Sequence, residues 1–569
     1  MDKFFTKLSL LFTIAIIGLT LSVSATAHDF EIDGVYYDIV GDGCVEVVRG
    51  TTYYRGGGIE YHHTTGDVVI PARVNGYKVI GIGEFAQIAP SSISLPETLS
   101  YIKKYAFGGG TIFELYIPKS ITNINECAFS SLSNLCKIEV DENNPAYDSR
   151  DNCNAIIRSA DNSLILGCAN TIIPNTVTRI GDNAFGGNSS IIKISIPNSV
   201  TQIGKDAFNK CSSLLDIDIS NSLISIGDYA FSHCSKLKKI VFPQNLSSIG
   251  NAVFSNCSNL EEVEFPSNLT SIGTRAFNNC SSLTSLVFPS SLQHINEYAF
   301  NYCSNLREVT FKSNLTIWQW AFNGCTNLEK VAFDYGIIGG NTEIFKYAFN
   351  MCSEIQQLIL PKKVTSISEF AFYTCSNLNY IEVEKGNPIY ESGDGNNTLL
   401  KINTQNIVPY VSLVLATKNA EIPKNVSVLA PYSFLDDRSS VVIPENVVTI
   451  ENNAFIECDK LTDVYMKSNT PPSMTQTVSN VGAFSSGRLS NMTLHVPVGS
   501  LDTYSNPVLD WCLFGNIVEW EPSGIDDIEI DECVNDPVVY YNMQGVKVDN
   551  PQNGIFIKKQ GAKTTKVLM

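Results

Sequence analysis

The residue types able to catalyse or to hold a metal are present, but they are scattered. Six histidines, His28, His62, His63, His233, His294 and His495, are spread along 569 residues without the spacing of a zinc site. The adjacent His62 and His63 read as an exposed loop pair rather than a metal site. Asp148, Asp151 and Asn152, and later Asp394, Asn396 and Asn397, offer the oxygen ligands that calcium prefers. Neither group has the ordered spacing of a dedicated loop, so both read as turn residues. Asp216 and Asp218 face outward together from one strand and read as a solvated pair. Gly81-Ile-Gly83-Glu-Phe-Ala86 imitates a dinucleotide fingerprint, yet no βαβ unit surrounds it. The chain contains neither Gly-x-Ser-x-Gly nor His-Glu-x-x-His. No catalytic, cofactor-binding or metal-binding residue is assigned, and the chain is not read as an enzyme.

The sixteen cysteines are more informative. Nine of them, Cys211, Cys234, Cys257, Cys280, Cys303, Cys325, Cys352, Cys375 and Cys458, each follow a phenylalanine by three residues. Positions three apart on a helical turn share a face, so both point into a core. There cysteine packs as a small apolar group. These nine read as a reduced, buried ladder rather than as bridges between coils. Cys44, Cys127, Cys136, Cys153, Cys168, Cys512 and Cys533 fall outside that phase, and Cys153 with Cys168 is the candidate local disulfide.

The phenylalanines expose the architecture that positions everything else. Phe208, Phe231, Phe254, Phe277 and Phe300 recur every 23 residues. A fixed period of this size marks a stacked array whose units cannot bury their apolar faces alone. In the unit from Leu260 to Cys280, Leu260-x-x-Val263-x-Phe265 alternates as a half-buried strand and Pro266 ends it. Leu269 and Ile272 then begin a second inward stretch, and Gly273 turns into a short helical segment carrying Ala276, Phe277 and Cys280. Further anchors at Phe85, Phe107, Phe129, Phe185, Phe322, Phe349, Phe372, Phe434 and Phe455 extend the array to about fourteen coils. The fold class is therefore mainly β with short helical turns, a solenoid.

Two anchor intervals are long, Phe129 to Phe185 and Phe372 to Phe434. Their insertions, about residues 139–172 and 382–420, begin alike, with Asn144-Pro145-Ala-Tyr147 and Asn387-Pro388-Ile-Tyr390. Each is read as an enlarged coil with an added hairpin. With Ile173-Pro174-Asn175-x-Val177-Thr178-x-Ile180-Gly181 and the closing Leu494-His-Val496-Pro497-Val-Gly499-Ser500-Leu-Asp-Thr-Tyr504, these phrases resemble the BspA-type leucine-rich repeat proteins. The resemblance covers about residues 29–522. It implies a surface-exposed or secreted protein that adheres to host matrix proteins or to other microbes, and it carries over no catalytic residues.

The array spans 76–493, between a β-rich cap at 28–75 and a closing cap at 494–522. Residues 1–27 read as a secretion signal, from Lys3 and Lys7 through an apolar stretch to Ala25-Thr26-Ala27. Residues 523–569 form an acidic linker and a tail that resembles a C-terminal sorting segment, or else a simple β-hairpin. A net charge of −18 argues against nucleic acid and against an anionic membrane surface. After signal removal no run is apolar enough to insert in a membrane. The expected location is secreted or at the cell surface.

Contact residues are expected on the outward strand positions. One column there, Val241, Glu264, Val287, Thr310, Ala332 and Ile359, is unusually apolar. It reads equally as a partner site and as β-branched residues stabilising a sheet. Trp318 and Trp320, where the repeat would place Ile-Gly, read equally as overpacking and as contacts. The expected partner is a host matrix protein or another cell-surface macromolecule. A glycan is the alternative, held on platforms such as Tyr116, Tyr380 and Tyr465, and a hydrolase would need carboxylates converging in one cleft.

Overall fold

The computed structural model describes residues 25–26, 28–521 and the strands between 539 and 568. Within 28–521 the residues left out are 54–58, 63, 85, 131, 335–339, 406–408, 419, 437, 475–481 and 485–487. The signal segment other than Ala25–Thr26, the anchor Phe85, His63, Cys533 and the acidic linker thus lie outside the described residues.

Each coil has three sides. In the coil that starts at Leu260, strand Glu262–Glu264 pairs in parallel with Lys239–Val241 of the preceding coil, 23 residues earlier. Ser271–Ile272 pairs in parallel with Ser248–Ile249 and with His294–Ile295. Repeating these pairings builds a long-strand sheet and a short-strand sheet. Leu260, Leu269, Ile272, Ala276, Phe277 and Cys280 are all buried between them.

The expected short helical segment takes the form of a run of tight turns. The N–H groups of Ala276, Asn278 and Cys280 bond within the coil, to the carbonyls of Gly273, Arg275 and Phe277. The alternate N–H groups, of Arg275, Phe277 and Asn279, reach the next coil at Glu297, Ala299 and Asn301, 2.7–3.0 Å away. This alternation places Arg275 and Asn279 in the left-handed region, at φ +58° and +59°. The pattern recurs, with Asp206, Tyr229, Ala252, Tyr298 and Tyr347 in one left-handed column and Lys210, His233, Asn256 and Tyr302 in the other. Residues other than glycine pay roughly 1–2 kcal/mol there. The hydrogen bonds that the turns send forward hold them in place.

The interior is an aromatic stack. Phe208, Phe231, Phe254, Phe277 and Phe300 lie nearly parallel, with successive centroids 5.1–5.3 Å apart. The cysteine beside each ring donates its thiol to the carbonyl of the phenylalanine one coil back, as Cys257 Sγ does to Phe231 O at 3.1 Å and Cys280 Sγ to Phe254 O at 3.1 Å. All nine ladder cysteines are buried free thiols.

The enlarged coils explain the Asn-Pro-x-Tyr phrase. After Asn123–Ile124 and again after Val364–Ile367 the short-strand sheet stops, and side chains satisfy the backbone that the next strand would have paired. Asn144 Nδ2 donates to the carbonyls of Pro118 (3.0 Å) and Ile121 (2.9 Å), and the Tyr147 hydroxyl accepts the Ile124 N–H at 2.7 Å. Asn387 Nδ2 donates to Pro361 O (3.2 Å) and Val364 O (2.8 Å), and the Tyr390 hydroxyl accepts the Ile367 N–H at 2.8 Å. An antiparallel hairpin follows in each, Ala155–Arg158 with Ser163–Gly167 and Thr398–Asn403 with Tyr410–Ala416. Each hairpin separates two cores. Ile156 and Leu166 pack toward the N-terminal core, while Ala155, Ile157 and Leu164 pack toward the central one. Leu399 and Leu415 belong to the central core, and Leu400 and Leu413 to the C-terminal one.

At the N-terminal end, antiparallel strands Phe30–Ile32, Val35–Gly41 and Cys44–Val48 join the array through parallel pairing of Cys44–Val48 with Tyr77–Ile82. At the other end, Thr493–Pro497 pairs in parallel with Asn516–Trp520. Tyr504 and Trp511 are buried there and donate to the carbonyls of Ser468 and Pro472. The tail strands between 539 and 568 form a four-stranded antiparallel sheet, a larger unit than a simple hairpin.

Candidate binding surface

The outward face of the long-strand sheet carries several ion pairs between adjacent coils. Lys193 Nζ lies 2.7 Å from Asp216 and 3.6 Å from Asp218, so these two aspartates share a lysine. Lys239 Nζ lies 2.9 Å from Glu262 and 2.6 Å from Glu264. Lys330 pairs with Glu308. Exposed pairs of this kind add little stability. They do make the face polar.

Against that background the apolar column falls into two parts. Val241, 48% exposed, is in register with Glu264, and Lys239 bridges to that carboxylate beside it. Beyond Glu264 the column is uncharged. Val287 is 54% exposed and in register with Thr310, and Thr310 with Ala332. Ile359, 49% exposed, stands two residues beyond Gln357, the register partner of Lys330. Thr310 and Ala332 are half-buried.

The three tyrosine platforms differ in their surroundings. Tyr116 is 46% exposed and donates to Asp141 Oδ2 at 2.7 Å. Tyr380 donates to Glu382 Oε2 at 2.8 Å. Tyr465 is sandwiched, stacked on His495 at 4.0 Å and edge-on to Trp520 at 5.1 Å.

A second aromatic array was not anticipated from the sequence. Tyr298, Trp320, Tyr347 and Phe370 occupy the left-handed position just before the Ala-Phe pair of their coils, and they stack with centroids 6.1, 4.1 and 4.9 Å apart. All four are half-buried on the turn side. Trp318 packs on Phe345 at 4.7 Å, and its indole N–H is buried with no hydrogen-bond partner among the described residues. The signal was available: an aromatic residue precedes Ala-Phe or Ser-Phe at Tyr298, Trp320, Tyr347, Phe370 and Tyr432.

The other candidate residues have ordinary roles. Asp148 is held by Arg150 at 2.6 Å and by Ser159 at 2.6 Å. Asp394 and Asn396 lie in a single 3-10 turn. Gly81 sits in strand Tyr77–Ile82, and an added Cβ would lie 2.0 Å from the Tyr101 ring, so packing rather than a nucleotide requires glycine. Among the described residues no three His, Cys, Asp or Glu side chains cluster as metal ligands would. The proposed Cys153–Cys168 bridge is corrected: both are free buried thiols with separate contacts, Cys153 near Ser149 Oγ and Cys168 near Asn154 O. Burial pushes both thiols up. No helix among the described residues is long and apolar enough to cross a membrane.

A family model described as "BspA type Leucine rich repeat region" matches residues 62–154, 166–284, 225–346, 270–397 and 412–481. A leucine-rich repeat protein from Bacteroides ovatus is similar at 24% identity and TM-score 0.43, over 77% of this chain and 94% of that one. One from Eubacterium ventriosum is 20% identical, with TM-score 0.39, over 57% of this chain and 98% of its own. A leucine rich cell surface protein from Faecalibacterium prausnitzii is 17% identical, with TM-score 0.29, over 86% of this chain and 94% of its own. Comparison with the curated proteins returned no match.

Proposed function

Since this chain belongs to the BspA type leucine-rich repeat family, we propose that it is a secreted or cell-surface protein that adheres to a macromolecular partner. The partner class is a host matrix protein or the surface of another cell. One observation carries the reading: Val287, Thr310, Ala332 and Ile359 form an uncharged run on the long-strand face, beside interstrand ion pairs such as Lys239–Glu262 and Lys330–Glu308. An apolar patch rimmed by charge is the usual anatomy of a protein contact. A rigid stack holds such a run without ordering cost on binding.

The test is solid-phase binding of the chain to immobilised matrix proteins, against a variant with Val287→Glu and Ile359→Glu. Both side chains are exposed, so the variant should keep its fold. Saturable binding that the variant loses supports the strand face. Equal binding by both proteins removes that face from the account. The second reading is glycan capture, favoured by the exposed ring of Tyr116. It predicts binding to a glycan array that Tyr116→Ala abolishes.

A further inference from the structure

The two enlarged coils share one plan, and they differ around one carboxylate. Glu126 and Glu369 hold the same place, three residues before Phe129 and Phe372. In the first coil the carboxylate is fully engaged. Arg158 reaches it at 3.0 Å, Arg179 at 2.7 Å, and the Asp182 N–H donates to it at 3.0 Å. Burial pushes this carboxyl up, but the Asp182 N–H and the two guanidiniums outweigh it and hold the group low.

Strand register identifies the matching positions in the second coil. Arg158 lies opposite Tyr147 and Lys401 opposite Tyr390. Arg179 pairs with Ser163 and Val428 with Ser412. Three residues on, Asp182 corresponds to Pro431, which has no N–H to donate. One guanidinium has become an ammonium that makes no ion pair with Glu369, the other has become an apolar side chain, and the backbone donor is gone. Among the described residues nothing hydrogen-bonds or ion-pairs with the Glu369 side chain.

A cavity of about 210 Å³ opens at this place. Glu369 and Glu451 line it together with Phe370, Tyr373, Tyr432 and Lys401. The Phe370 and Tyr432 rings are tilted 53° to each other with centroids 4.1 Å apart, and Tyr373 stands edge-on to Tyr432 at 5.4 Å. The Tyr373 hydroxyl donates to Glu457. Burial and the neighbouring Glu369 push the Glu451 carboxyl up, as expected for two carboxylates sharing a space. Lys346 Nζ makes a cation–π contact with the Phe370 ring, 4.3 Å from its centre. None of the lining residues belongs to the long-strand sheet.

We infer that this cavity binds a guanidinium group, the side chain of an arginine presented by a protein or peptide partner. A guanidinium stacks on aromatic faces and forks onto carboxylates, and it sheds water more readily than an ammonium does. It would take the place that the chain's own Arg158 and Arg179 fill in the sister coil. The net charge of −18 favours the approach of a basic partner. This site is separate from the strand face and does not depend on it.

The test is calorimetric titration of the full chain with acetyl-Gly-Arg-Gly-amide, with its citrulline counterpart as the neutral isostere. The arginine peptide should bind saturably and the citrulline peptide at least tenfold more weakly. Glu369→Gln and Glu451→Gln should each weaken the arginine peptide by about tenfold, the usual effect of losing a hydrogen-bonded charge. Val428→Arg restores the sister coil's guanidinium and should abolish peptide binding while raising the melting temperature. Equal binding of the citrulline peptide, unchanged binding by both glutamine variants, or no saturation below about 10 mM overturns the inference. So does displacement of the peptide by a neutral oligosaccharide with equal affinity for the glutamine variants. The assay reads this cavity alone, so its failure leaves the strand-face reading standing.

Discussion

Asn387→Ala should be one of the most damaging single changes to a polar side chain in this protein. Its Nδ2 donates to Pro361 O and Val364 O, and its Oδ1 accepts the N–H groups of Ile389 and Tyr390, both at 2.9 Å. The side chain is buried, so water does not readily replace it. Four hydrogen bonds at a net ~1 kcal/mol each, partly recovered by relaxation, give a loss of about 2–4 kcal/mol. Asn387→Asp separates the two halves of this role. It keeps the acceptor for Ile389 and Tyr390 but turns a carboxylate toward two carbonyl oxygens, so it should be at least as harmful as alanine near neutral pH and milder once the carboxyl is protonated. Because a stacked array need not unfold in one step, the assay is hydrogen exchange by mass spectrometry alongside urea unfolding. Peptides holding Ile367, Ile389 and Tyr390 should lose protection first, while those around Phe254 and Phe277 keep theirs. If Asn387→Ala costs under ~0.5 kcal/mol, or the loss of protection is uniform, the side chain does not stand in for a missing strand and the reasoning fails.

Three further outcomes follow from the interior and the turns. Burial pushes the Cys257 and Cys375 thiols up to about 12. Iodoacetamide at pH 8 should therefore label the partly exposed Cys44, Cys136 and Cys512 well before any ladder cysteine, which peptide mapping would read; equal labelling contradicts a sealed ladder. The folded value lies above the unfolded one, so the stabilisation is complete below pH ~9 and is lost as pH rises toward about 12. A melting temperature flat across that range would count against it. Lys210 is exposed at φ +62°, and Lys210→Gly should stabilise by about 0.5–1 kcal/mol where Lys210→Val destabilises. Chemical denaturation compares the two, and the opposite order would refute the strain argument.

Much of this architecture was legible because it repeats. The Phe-x-x-Cys phase identified buried columns, and the matching Asn-Pro-x-Tyr phrases identified two enlarged coils with hairpins. The turn side was harder to read. Ala276, Phe277 and Cys280 have a spacing that suits a helix equally well, and nothing in residue type reveals that alternate N–H groups leave the coil. The apolar column was read correctly as outward-facing at Val287 and Ile359, but the lysine bridging to Glu264 depends on side-chain reach. The cavity was hidden for a different reason. Glu126 and Glu369 look alike as residues, and only register shows that Arg179 has become Val428 and that a donor N–H has become Pro431. Aligning the two insertions with each other would have raised the question.

The hairpins in the enlarged coils act as bulkheads. Each presents one apolar face forward and one backward, so the interior is three sealed compartments rather than one continuous hold. In an open-ended stack, damage at one end travels coil by coil, because each coil is supported only by its neighbours. A wall that seals its own side keeps the adjoining compartment dry after the coils beyond it are lost. A solenoid built this way can be cut or torn at one end and surrender a compartment while the rest stays whole.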